Sequence, residues 1–337
     1  MSSKLAKLTI ATAAVGAGYS ASRKLSAVQR QLIAEWTAAE SPDDHDVLTF
    51  PQGDEFRVTT SDGAELAGID VAGSGPTVVL IHGYAGTRGH WGPVALRLAE
   101  AGHRVVAYEQ RGHGDSTVGD DSFTMAALGS DLRAVLEHLD LRNATIAGHS
   151  MGGMALQSYL GGHPDSARNR TRLAMLTSTA AMSSQQPMAL RSLVARVLGS
   201  AGLDKVMSDP RRGSFGLRNI VGTEVRMSHL DGARRTVRDT NPATRVGAFE
   251  MLGTYDNRGQ LSNIGVPVII AVGTHDQLTP IDQSRQLDEL IQHARLHVFP
   301  GAGHMLPWER SAELSELVMR ATTEPTGDGS TSAQALT

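Results

Sequence analysis

The chain has 337 residues, 40% of them hydrophobic, enough for one sizeable core and too few for two large domains with long tails. A net charge of −4 gives no case for a nucleic-acid partner, which usually calls for a basic domain. The absence of cysteine excludes a disulfide scaffold, a Cys-ligated zinc site and a thiol nucleophile.

At the N-terminus, Lys4 and Lys7 precede a small-residue apolar run over residues 8–21, and Arg23 and Lys24 follow it. The run is shorter than the roughly 20 residues of a spanning helix. Its length suits the apolar region of a signal peptide. The trailing positive charge and the lack of a clear A-x-A site weaken that reading, and an uncleaved anchor or a surface-lying helix stands equally beside it. Residues 1–45 are therefore set apart as an apolar, basic leader or anchor. The protein is membrane-associated or exported if that segment works as anchor or signal, and cytoplasmic otherwise. Gly16-Ala17-Gly18-Tyr19-Ser20-Ala21 matches G-x-G-x-x-A, but its run is alanine-rich and residues 28–40 read as helix, not as a second strand ending in an acid. Without that context the pattern marks no dinucleotide site.

Residues 55–60 and 65–71 alternate like two half-buried strands around the turn Ser61-Asp62-Gly63. Mostly apolar, β-branched runs follow at 77–81, 104–108, 144–147, 173–176 and 266–272, as strands of a parallel sheet covered on both faces require. Helical patterns at 94–101, 125–139 and 154–160 separate them, which indicates a doubly wound α/β domain. A last strand at 295–299 and a helix at 312–321 close it. Residues 183–262 interrupt the alternation with short helices and no strand. From Lys205 to Arg245 they carry nine Lys or Arg against four Asp or Glu, which reads as a solvated helical surface. The predicted organisation is a leader (1–45), a core in two parts (46–182 and 263–322), a helical cap (183–262) and a disordered tail (323–337).

The strand at 144–147 runs into Gly148-His149-Ser150-Met151-Gly152-Gly153 and then a helix, the place a G-x-S-x-G nucleophile turn requires. Gly148 and Gly152 leave room for a tight turn that holds Ser150 out at the carboxyl edge of the sheet. Acyl transfer also needs fixed N–H donors for an oxyanion. One should be the backbone of Met151, and the other should come from His82-Gly83-Tyr84-Ala85-Gly86, where Tyr84 is the best candidate and His82 and Gly83 support the loop. A serine hydroxyl needs an imidazole base held by a carboxylate. Asp276 in Gly273-Thr274-His275-Asp276 and His304 in Gly301-Ala302-Gly303-His304 both follow strands, in the order serine, acid, histidine. His275 reads as a loop residue. His113 and Asp115, in Arg111-Gly112-His113-Gly114-Asp115-Ser116, read as stabilisers of their turn.

Together HG-Y, RGHGDS, GHSMGG, G-x-x-D and GAGH resemble the α/β-hydrolase superfamily over roughly residues 55–321, nearest to its serine esterase and monoacylglycerol-lipase-like group. The resemblance implies an α/β-hydrolase fold: a mostly parallel eight-stranded sheet flanked by helices, with the cap inserted. It implies Ser150 as nucleophile, Asp276 as acid, His304 as base, and Tyr84 and Met151 as oxyanion donors. No metal and no organic cofactor is implied. Epoxide hydrolases and haloalkane dehalogenases carry an aspartate where Ser150 stands; cofactor-free haloperoxidase-type members share the triad. The expected partner is a small-molecule acyl substrate. Met182, Met188, Met207, Met227 and Met251 suggest an adaptable apolar wall for a medium-chain acyl ester or monoglyceride.

Overall fold

Neighbouring residues of the central strands feed opposite cores. Val79 and Ile81 of β3 (Thr77–Ile81) pack with Val106, Ile146, Leu176 and Ile270 on one face of the sheet, while Val78 and Leu80 pack with Val105, Ala107, Met175 and Ile269 on the other. This is the two-residue period of a strand buried on both sides. The structure, a computed structural model, describes residues 27–39, 46–184 and 187–323.

The strands β1 (Asp54–Thr59), β2 (Glu65–Val71), β3, β4 (Arg104–Tyr108), β5 (Ala144–His149), β6 (Thr171–Thr177), β7 (Val268–Gly273) and β8 (Ala294–Phe299) form one sheet in the order β1-β2-β4-β3-β5-β6-β7-β8. β1 pairs antiparallel with β2, and β2 with β4; every other pairing is parallel. β2 is buried along almost all of its length, because β1 and β4 flank it, so the half-buried alternation expected there does not hold. One face carries α2 (Gly92–Glu100), whose Leu98 packs with Leu314 and Val318 of the C-terminal helix. The other carries α3 (Met125–His138) and α4 (Met151–Gly162), through Leu132, Leu136, Leu156 and Leu160.

Two boundaries differ from expectation in ways that bear on the site. β5 runs on to His149 and α4 begins at Met151, so Ser150 is the sole residue between them. The periodic pattern places the helix start at 154 because Gly152 and Gly153 carry no apolar side chain and have low helix propensity. After α5 (Pro164–Arg170) and β6, the chain passes through α6 (Met188–Leu198), α7 (Ala201–Met207), α8 (Pro210–Gly216), α9 (Met227–Asp239), α10 (Pro242–Leu252) and α11 (Arg258–Leu261) before β7. Among the described residues of this insertion the one strand-like contact is a bridge between Met182 and Asp256. α12 (Ile281–Leu290), the one-turn α13 (Leu306–Glu309) and α14 (Ser311–Thr323) complete the chain.

Two expectations are corrected. Residues grouped with the leader form α1 (Ala27–Ala38), which buries Ile33 and Trp36 among Leu203, Met207 and Leu230 of the insertion, with Trp36 stacked on Phe215 at 5.9 Å. The folded body therefore includes α1. The cations of the insertion are not simply a solvated surface either. Arg245 is fully buried, bonded to Asp204 and to the Val237 carbonyl at 3.2 Å, and Arg234 is buried against Asp231 and the Met207 carbonyl. A long guanidinium stem can fill apolar space while its fork finds acceptors, which charge counting along a sequence does not reveal. The apolar run at 8–21, the G-x-G-x-x-A match and the tail from 324 lie outside the described residues. Among the described residues no helix is long and apolar enough to cross a membrane.

Candidate active site

Ser150 sits at φ 53°, ψ −117°, a conformation that costs a non-glycine residue about 1–3 kcal/mol and persists only where its surroundings impose it. Here three hydrogen bonds do so: its N–H donates to the Thr177 carbonyl at 2.9 Å, its carbonyl accepts the Thr179 hydroxyl at 2.8 Å, and the Gly153 N–H reaches that same carbonyl at 2.9 Å. The flanking glycines have steric reasons. A Cβ on Gly148 would lie 2.4 Å from the Gly152 carbonyl oxygen, and one on Gly152 would lie 2.4 Å from that of Ile81. Strand, turn and helix are packed backbone to backbone.

The three predicted residues far apart in the chain meet at the carboxyl end of the sheet. Ser150 Oγ lies 3.0 Å from His304 Nε2, and His304 Nδ1 lies 3.0 Å and 3.1 Å from the two oxygens of Asp276. Since Nδ1 faces a carboxylate it carries the ring proton, which leaves the Nε2 lone pair to accept the serine hydroxyl. Asp276 is itself well bonded: Oδ1 accepts the N–H groups of Leu278 and Thr279 at 2.9 and 2.8 Å, and Oδ2 accepts the Thr279 hydroxyl at 2.8 Å. Burial works against its charge, but His304 and the Thr279 donors outweigh that and hold its carboxyl below the ordinary value. His275, next to it, is exposed and bonds Thr274, as a loop residue should.

Met151 is the first residue of α4, where backbone N–H groups have no partner within the helix and the helix dipole favours negative charge. Tyr84 lies in the loop after β3, and its hydroxyl donates to the Arg245 carbonyl at 2.7 Å, tying this loop to α10 of the insertion. His82 is fully buried beneath it. Its Nε2 accepts the Gln110 N–H at 2.9 Å, so its Nδ1 carries the proton and donates to the Gly83 carbonyl at 2.7 Å. Burial first, and His113 second, push His82 down to about 3. A Cβ on Gly83 would come within 3.1 Å of the Ser150 Cβ, so the loop lies directly against the serine. His113 bonds the Arg111 carbonyl at 3.0 Å within its own turn, while Asp115 is exposed and its backbone carbonyl accepts from Arg57.

Of the five methionines expected to form an apolar wall, Met251 alone joins the cluster of Met151, Met154, Tyr84 and Phe123; Met207 and Met227 pack in the cluster around Trp36, and Met188 is 81% exposed. Sequence reasoning overlooks three residues that hold the site together. They are Thr279 on the acid, His149, whose Nε2–H donates to the His304 carbonyl at 2.8 Å, and Glu309, which accepts the Gly303 N–H at 2.9 Å. Their position beside motif residues is the one signal the sequence offers.

A family model described as alpha/beta hydrolase fold matches residues 76–311. A non-heme chloroperoxidase of Kitasatospora aureofaciens is 29% identical over 260 residues, spanning 75% of this chain and 94% of its own. Among solved structures, an esterase from Exiguobacterium antarcticum superposes with a TM-score of 0.69 at 23% identity, covering 80% of this chain and 99% of that one. An enol-lactonase from Burkholderia xenovorans LB400 does so with a TM-score of 0.68 at 24% identity, covering 80% and 100%. These two likenesses speak for the fold. With the family match spanning most of its length, the chain belongs to the alpha/beta hydrolase fold family.

Proposed function

We propose that the protein is a serine hydrolase that cleaves carboxylic esters through an acyl-serine intermediate, with Ser150 as nucleophile, His304 as base and Asp276 as its orienting acid. The observation that carries this reading is the continuous hydrogen-bonded line from Ser150 Oγ to His304 Nε2 and from His304 Nδ1 to Asp276. Ser150 attacks the ester carbonyl as its proton passes to His304, and Asp276 stabilises the imidazolium. The N–H groups of Met151 and Tyr84 receive the oxyanion. Collapse expels the alcohol, protonated by His304, and water activated by the same imidazole then releases the acid. The apolar cluster of Met151, Met154, Met251 and Phe123, roofed by the insertion as a cap, supports a medium-chain acyl or monoglyceride-like substrate.

Ser150→Ala tests the assignment: hydrolysis of a p-nitrophenyl acyl ester should vanish while the circular dichroism spectrum stays unchanged. Retention of wild-type rates by that variant would end the proposal. A failure of the wild-type protein to form an adduct with a fluorophosphonate would point to a low-turnover binding member of the fold.

A second reading rests on the chloroperoxidase relative. Hydrogen peroxide in place of water at the acyl-serine stage yields a peracid, a cofactor-free oxidant from the same triad. The enol-lactonase neighbour extends the choice of bond to lactones, and thioester, amide and carbon–carbon bonds share the same chemistry. Comparison of kcat/KM over such a panel, with and without peroxide, ranks these reactions.

A further inference from the structure

Glu309 ends the one-turn helix α13, five residues beyond His304. One oxygen of its carboxylate, Oε2, accepts two backbone N–H groups from different parts of the chain: Gly222 of the helical insertion at 2.7 Å and Gly303, the residue before His304, at 2.9 Å. The other oxygen, Oε1, is sheltered from solvent and has no hydrogen-bond partner. Around this bridge the insertion and the His304 loop are joined directly. The His304 N–H donates to the Ile220 carbonyl at 2.8 Å, and the Thr223 N–H donates to the Gly301 carbonyl at 2.8 Å.

The contact leaves no space for side chains. A Cβ on Gly222 would lie 1.9 Å from the Gly301 carbonyl oxygen, and one on Gly303 would lie 2.4 Å from the Val221 carbonyl carbon. Both glycines are buried. The peptide that carries the imidazole is thus held on its N–H side by the insertion and on its carbonyl side by His149. Burial raises the Glu309 carboxyl above its ordinary value against the pull of these two N–H donors, and two short backbone bonds converging on one oxygen fix direction as well as distance.

We propose that Glu309 is a positioning residue for His304: its carboxylate couples the insertion, at Gly222, to the base loop, at Gly303, so that the seating of the insertion sets where Nε2 lies relative to Ser150. The inference rests on the ester-hydrolase reading of the site. Glu309 does not touch substrate or exchange protons with it. It acts through the backbone, and the insertion then has two tasks, covering the site and holding its base.

The test compares the wild-type protein with Glu309→Asp, Glu309→Gln and Gly222→Ala. Aspartate keeps the charge but withdraws the acceptor by about one carbon–carbon bond, ~1.5 Å. Glutamine keeps an acceptor at the same reach, and alanine at 222 pushes the insertion off the loop without altering the carboxylate. Three quantities are read at a temperature well below each melting transition: kcat and KM for p-nitrophenyl butyrate, the rate of fluorophosphonate labelling at Ser150, and hydrogen exchange of the amides in residues 300–305. Glu309→Asp and Gly222→Ala should each lower kcat and the labelling rate by about ten- to a hundredfold, the scale of an ångström misplacement. KM should stay within about threefold, since the loss lies in the transition state alone. The loop amides should exchange faster, and Glu309→Gln should recover most of the loss seen with aspartate.

Wild-type kcat and labelling in both Glu309→Asp and Gly222→Ala would overturn the inference while leaving the ester-hydrolase reading intact. A loss confined to the melting temperature, or to KM, overturns it as well. If either variant fails to fold, the other carries the comparison alone. A wild-type protein that takes no label removes the hydrolase reading, and the inference falls with it.

Discussion

The ring of His149 donates its Nε2–H to the carbonyl of His304 across 2.8 Å, so the residue immediately before Ser150 holds the backbone of the imidazole that faces Ser150. The two imidazole centroids are 4.9 Å apart, and His149 is 1% exposed. Its Nδ1 has no hydrogen-bond partner, so the residue spends a buried polar atom on this one contact. His149→Phe keeps a ring in the same space and removes the donor. The freed His304 carbonyl costs about 1–3 kcal/mol, part of which the loss of the orphan nitrogen offsets. The expected result is a small change in melting temperature and a fall in kcat of about tenfold, near 1.4 kcal/mol of barrier. Unchanged ester hydrolysis in that variant would show the contact to be incidental.

Substitution of Asp276 separates orientation from charge. Asp276 accepts three hydrogen bonds besides facing His304 with both oxygens, so Asp276→Asn fits the same space but no longer favours a proton on Nδ1. Loss of the correct tautomer should lower kcat by about 10⁴ with KM little changed. Thr279→Val removes the hydroxyl bonded to Oδ2 and should cost about tenfold, in line with one lost hydrogen bond to a charged group. Steady-state kinetics on a chromogenic ester measures both, and a larger loss for Thr279→Val than for Asp276→Asn would contradict the assigned order of roles.

Acid should unfold this protein early. Burial pushes His82 and His149 down to about 3 and His113 to about 4, and holds His90 well below its ordinary value. The four rings lie in edge contact, each next to another histidine. In the unfolded chain each titrates near 6.5. A depressed histidine therefore contributes stability that is fully present above that value and is lost as pH falls toward 3 or 4. Glu109 has the opposite sign: burial raises it to about 7, against the pull of Arg88, so its contribution is lost as pH rises through 7. With four histidines against Glu109 and Glu309, both raised mainly by burial, unfolding between pH 6 and 5 should take up roughly two to three protons. Urea titrations at pH 7.5, 6 and 5 give this slope directly. Equal stability at all three would mean that the rings are hydrated or already charged.

What the sequence makes legible here follows from how local each signal is. The strands β3 to β8 are readable as short, mostly apolar runs, and Ser150, Asp276 and His304 are readable because each follows such a run within a few residues. Contacts set by tertiary packing leave no comparable trace. Arg245 looks like a surface cation until the structure buries it against Asp204, and Met207 reads as a cleft methionine although it packs under Trp36. Glu309 and His149 act on the backbone of residues at the far ends of other elements, a relationship that no periodicity encodes. The glycines of the GAGH turn are visible in the sequence, but their cause, the close approach of Val221 and Gly222, is not.

The boundary at the N-terminus yields the last prediction. Residues 1–45 read as one leader, yet α1 contributes Ile33 and Trp36 to the same cluster as Leu203, Met207 and Trp308, and Asp46 just beyond it bonds Arg235 at 2.6 Å. Deletion of residues 1–26 should therefore leave the melting temperature and esterase activity close to those of the full chain. Deletion of 1–45 should expose Phe215 and its neighbours and lower stability markedly, as should Trp36→Ala, by about 3 kcal/mol. The comparison also isolates the apolar run at 8–21 from the fold. If that run is the membrane-seeking part, removing 1–26 alone moves the protein from the membrane pellet to the supernatant without loss of activity. Were the 1–45 deletion as stable as the full chain, the packing of α1 would contribute nothing measurable. The insertion would then have to hold its shape through its own pairs, such as Arg245 with Asp204 and Arg234 with Asp231.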